Sequence, residues 1–174
     1  MENKGTFTQV VNFLLYSFIH ILLTKELVLY NTAFCYTYVA FLLLLPTNIS
    51  RTLELFIAFG TGLFIDMFYD SVGMNAAACV MLSFVRPYLI KILSGKHSFE
   101  NNANISIHNT GFQWFAIYAG SLLFLHHCIL FLIDTSSSEF IFYALNKAFF
   151  STLFSLATII ILQYLLRASA QKAR

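Results

Sequence analysis

Three charged side chains stand inside otherwise apolar stretches of the sequence, Asp66, Arg86 and Lys147, and the adjacent pair His126 and His127 joins them. A charge at membrane depth is costly, so each of these residues needs a partner or a task. Depth decides which of them can meet. At about 1.5 Å rise per residue, Asp66 lies roughly 6 Å from the end of its helix, and Arg86 lies roughly 20 Å from the same end of the next one. An extended arginine does not close that gap. Lys147 lies roughly 9–10 Å from that end, with His126 and His127 at similar depth and Asn75 in the same half. Asp66, Asn75, His126 and Lys147 therefore form a candidate polar cluster. Adjacent helical residues point about 100° apart, so only one of the two histidines can face it squarely. Two readings are open: a binding or coupling site, or a structural network whose interhelical hydrogen bonds lock the helices. Arg86 sits in the other half, where it can snorkel toward headgroups. Pro87 beside it removes a backbone donor, so the pair marks a kink near a partner-contact surface.

No catalytic arrangement can be assembled around these groups. The sequence has no nucleophile elbow, no His-x-x-Glu-His or Glu-x-x-His pattern and no phosphate-cradling glycine loop. The side chains of His126 and His127 diverge and no acidic ligand lies one turn away, so no metal site is expected. Cys35, Cys79 and Cys128 lie far apart inside apolar segments and read as buried small hydrophobes. The expectation is a protein that is not an enzyme and carries no cofactor and no metal.

The elements that must position these residues are membrane helices. Hydrophobic residues make up 59% of the chain and charged residues only 10%, against about 45–50% and about 25% in soluble domains. The net charge of +2 over 174 residues gives no ground for nucleic-acid binding. A crossing takes about 20 apolar residues, and six stretches qualify or nearly do: 7–24, 27–45, 52–69, 73–93, 112–133 and 140–166. Together they predict an all-α integral membrane protein, one transmembrane domain over 1–174, with a polar loop at 94–110. The first stretch has no cleavage site behind it and reads as a retained helix. Gly60-Thr61-Gly62 is a small-residue patch that suits close helix packing.

Orientation follows from the basic residues. Lys4, Arg51, Lys91, Lys96, Arg167, Lys172 and Arg174 fall on one side, seven of the ten in the chain. Lys25 and the acidic residues Asp70, Asp134 and Glu139 fall on the other. Six crossings with both termini and the 94–110 loop in the cytoplasm satisfy this pattern.

The stretch from Gly60 to Ala76 resembles the signature of the MreD family of rod shape-determining membrane proteins. Gly62, Leu63 and Asp66 match its Gly-Leu-x-x-Asp core, and Gly73, Asn75 and Ala76 match the start of its next helix. Phe84-Val85-Arg86-Pro87, Gly111-Phe112-Gln113-Trp114 and the histidine pair resemble one branch of the family. Asp70 and Ser71 depart from it, standing where many relatives carry small or proline residues. The resemblance implies a non-catalytic scaffold subunit of the elongation complex (the elongasome) in the bacterial inner membrane, where it serves cell shape and peptidoglycan synthesis in the lateral cell wall. The implied partners are MreC, MreB, RodA with its penicillin-binding transpeptidase, and membrane lipid. The family is also similar in fold to the six-helix substrate-binding S components of energy-coupling factor transporters. This supplies the alternative, a vitamin-uptake subunit with a pocket lined by Asp66, Asn75, His126 and Lys147.

Overall fold

The structure of the chain, a computed structural model, describes residues 2–24, 26–29, 32–94, 105–135 and 141–172, and the side chains of those between 8 and 166. Helix α1 (Glu2–Ile19) continues through a π turn (His20–Thr24). A short antiparallel hairpin follows, β1 (Val28–Leu29) and β2 (Ala33–Phe34), with Val28 opposite Phe34 and Leu29 opposite Ala33. The helices after it are α2 (Val39–Leu43), α3 (Arg51–Tyr69), α4 (Met74–Ser94), α5 (Ile107–Thr110), α6 (Phe112–Asp134) and α7 (Ile141–Lys172). Among the described residues, α3, α4, α6 and the 141–166 part of α7 are long and apolar enough to cross a membrane. Residues 8–24 form a shorter apolar helix. Residues 95–104, most of the expected 94–110 loop, and Lys25, Lys96, Glu139 and Arg174 lie outside the described residues.

The expected helix over 27–45 is corrected. Among the described residues of this stretch only Val39–Leu43 is helical; the others form the two strands, turns and irregular chain. Residues 35–43 are nevertheless buried throughout. The part before α2 is rich in β-branched and aromatic residues (Val28, Thr32, Phe34, Tyr36), which favour extended backbone. Non-helical backbone inside a bundle must find partners for its N–H and C=O groups. Hydroxyls one turn apart on α7 supply them. Ser151 Oγ accepts from Phe34 N–H at 2.9 Å, and Ser155 Oγ accepts from Tyr36 N–H at 2.9 Å while donating to the Phe34 carbonyl at 3.3 Å.

Helix α3 packs on α4, α4 on α6, and α6 on α7. The irregular segment fills the interior between them, with Tyr38, Val39, Leu42 and Leu43 fully buried. The exterior is apolar, carrying Leu22, Phe56, Met67, Ile92 and Phe142, all more than two-thirds exposed. Glu54, Asp66, Arg86, His126 and His127 are inside, each at most 5% exposed. This is the reverse of the distribution that water imposes, and it suits a chain surrounded by hydrocarbon.

Candidate functional site

Among the described residues, two interior networks hold buried carboxylates or a buried guanidinium, one at the end of the bundle that carries the 70–73 turn and one toward the end that carries Arg51 and Lys91. The first is built on Asp66. Its Oδ1 accepts from Ser71 Oγ at 2.5 Å and from the backbone N–H and the side-chain amide of Asn75, both at 3.0 Å. Oδ2 accepts from Ala76 N–H at 3.0 Å. The carboxylate of α3 thus caps the start of α4, satisfying orphan donors where the helix dipole favours negative charge. Backbone geometry makes the capping possible. Asp70 ends α3 in the left-handed region with φ 50°, and Gly73 follows at φ 76°. Gly62 lets the two helices touch, since a Cβ there would stand 2.4 Å from Ala76 Cα.

Asn75 extends the network inward. Its Oδ1 accepts from Tyr38 Oη at 2.9 Å, and Tyr38 Oη lies 2.9 Å from His126 Nε2. Tyr38 has one proton and gives it to Asn75, so His126 donates from Nε2 and keeps a bare lone pair on Nδ1. The Nδ1 atom has no partner. The bonds therefore run in one direction, from His126 to Tyr38 to Asn75 to Asp66. Cys79 Sγ rests beside Tyr38 Oη at 3.8 Å. His127 points elsewhere, with Nδ1 3.1 Å from Thr152 Oγ1. The Thr152 hydroxyl proton is directed to the Ala148 carbonyl at 2.7 Å, so His127 is the donor.

Lys147 does not join Asp66. Its ammonium lies 4.5 Å from the ring centre of Phe34 and 4.6 Å from that of Phe131, a cation–π arrangement. It borders a cavity of about 250 Å³ next to the Asp66 network, which Asn75 and Ser71 also line. Of the four residues expected to converge, Asp66, Asn75 and His126 are bonded into one chain through Tyr38, and Lys147 faces the adjoining cavity.

The second network corrects the expectation for Arg86. The guanidinium does not reach a surface; Arg86 is 2% exposed. It donates to Glu54 Oε1 and Tyr118 Oη, at 2.9 and 2.8 Å, and to the Leu45 carbonyl. Tyr118 Oη in turn donates to the Leu43 carbonyl at 3.0 Å. These two carbonyls stand at the C-terminal end of α2, where a helix leaves acceptors unpaired. Pro87 lies inside α4 and, lacking an N–H, leaves the Ser83 carbonyl unbonded within the helix. Arg51 Nη1 donates to that carbonyl at 2.8 Å, and Nη2 donates to Phe84 O.

Sequence reasoning missed Glu54, Tyr38 and Tyr118. A depth signal was available for Glu54, which lies roughly 24 Å from the turn end of α3, close to the level of Arg86. No comparable signal marks the two tyrosines, because their partners come from distant segments. Among the described residues, no group of three or more His, Cys, Asp or Glu side chains could hold a metal ion. In comparisons with known proteins, the chain matches no family model, no curated protein and no solved structure.

Proposed function

We propose that the chain is a non-catalytic membrane subunit of the bacterial elongation complex, acting through protein–protein binding to organise lateral peptidoglycan synthesis. One observation carries the reading. Gly62, Asp66, Gly73, Asn75 and Ala76, through which the sequence resembles MreD, meet at one place and do one job. Gly62 admits the backbone of Ala76, and Asp66 caps the helix that Asn75 and Ala76 begin. The motif is a helix lock with its acceptors engaged, and no reacting group is left open in it. A subunit of this kind acts by binding some states of its partners better than others.

The proposed topology has six crossings with both termini cytoplasmic, in an arrangement similar to that of the transporter S components. The second crossing is made by the hairpin, irregular chain and the short α2 rather than by one continuous helix. Glu26 shares a cavity with Ser71 and Asp134 near the turn end, while the Leu45 carbonyl meets Arg86 toward the other. Arg51 and Lys91 sit at that other end, and Glu26, Asp70 and Asp134 lie at the turn end. The charge pattern supports placing the turn end outside.

The test is an affinity pull-down of the tagged chain from a mild-detergent extract, with co-purifying proteins identified by mass spectrometry. Recovery of MreC, RodA and the transpeptidase is the expected result. Recovery of a transporter ATPase pair without wall machinery would sink the reading and turn attention to vitamin uptake.

A further inference from the structure

The cavity beside the Asp66 network holds charges of both signs. Lys147 borders it with its ammonium over the rings of Phe34 and Phe131. Glu26 and Asp134 border it as well, and neither comes within ion-pair distance of Lys147. Tyr36 adds an independent observation. It lines the cavity and, as a whole side chain, is only 9% exposed. The space next to it measures about 250 Å³.

We propose that this cavity binds a small zwitterion, with a primary ammonium held by Glu26 and Asp134 and an anionic group held by Lys147 and the Tyr36 hydroxyl. The signs select the ligand. A simple anion would meet two carboxylates, and a simple cation would meet the Lys147 ammonium. A zwitterion pairs with lining charges of both signs, and each contact is a charge-assisted hydrogen bond. A primary ammonium donates to carboxylates where a trimethylammonium cannot. Phosphoethanolamine has this chemistry, either free or as a lipid headgroup. The proposal does not depend on membership of the elongation complex and stands if that reading fails.

The experiment has two arms on the full chain. In the first, calorimetry follows binding of O-phosphoethanolamine to the protein in lipid-free micelles, with ethanolamine and inorganic phosphate as single-sign controls. In the second, native mass spectrometry follows which lipid remains on the protein in micelles doped equally with phosphatidylethanolamine, phosphatidylglycerol and phosphatidylcholine. Binding in the first arm supports a soluble zwitterion, and selective retention of phosphatidylethanolamine in the second supports a lipid headgroup. In the supported case Lys147→Met, Glu26→Gln and Tyr36→Phe each weaken binding roughly tenfold. Glu26 is exposed, so its variant keeps the test valid if Lys147→Met folds poorly. Absence of binding in both arms, binding as tight to either single-sign control, or binding unchanged in the variants overturns the proposal.

Discussion

At the scale of single residues, Asp66 shows how a charge is kept inside an apolar bundle. It is 3% exposed and accepts four hydrogen bonds, two of them from backbone N–H groups at the start of α4. In Asp66→Asn one acceptor becomes an amide group that faces donors. The cost is about 1–3 kcal/mol, and the apparent melting midpoint of a fluorescent fusion in detergent should fall. Lys147→Met breaks no hydrogen bond among the described residues and loses only contact with the rings of Phe34 and Phe131, so its midpoint should stay near that of the parent. If Asp66→Asn melts like the parent yet loses partner binding, the carboxylate works on partners rather than on the fold.

At the scale of elements, the crossing of α3 and α4 rests on Gly62. A Cβ there would lie 2.4–2.6 Å from backbone atoms of Asn75 and Ala76, whereas Gly60, two residues earlier, has nothing within 4 Å. Gly62→Ala should force the helices apart and cost about 1–3 kcal/mol. Gly60→Ala should be neutral or stabilising by up to about 1 kcal/mol, since alanine restricts the unfolded chain. Thermal melting of the pair checks this, and equal midpoints would contradict the packing. The small-residue patch at 60–62 was legible in the sequence, but which glycine bears the contact was not. That depends on how α3 is rotated about its axis, which the turn at Asp70 and Gly73 sets.

At the scale of the whole molecule, the Glu54–Arg86–Tyr118 network joins α3, α4, α6 and the irregular segment. Removing one member of a buried ion pair strands the other and typically costs 3–5 kcal/mol. Arg86→Met should therefore lower the melting midpoint sharply. Adding Glu54→Gln to it should cost little more, because the two sites are coupled. Midpoints that fall additively would show that the pair is not a unit. Arg51 lies 3.6 Å from Glu54 in the same network, so it screens the stranded carboxylate and sets the penalty toward the low end.

The sequence by itself determined that the chain is apolar enough to cross a membrane, where α3, α4, α6 and α7 run, and how deep Asp66, Arg86 and Lys147 stand along them. These follow from length, hydropathy and rise per residue, all local quantities. It also carried the Asp66–Asn75 contact, because nine residues and one turn separate the partners. Only the tertiary structure decided that residues 27–45 are not one continuous helix. Their backbone partners, Ser151 and Ser155, lie more than a hundred positions away. It likewise decided that Arg86 turns inward to Glu54 and that Lys147 faces a cavity instead of Asp66. Depth along a helix can be counted from sequence, but the direction a side chain faces depends on the rotation of each helix against its neighbours, and that is fixed only when all of them pack.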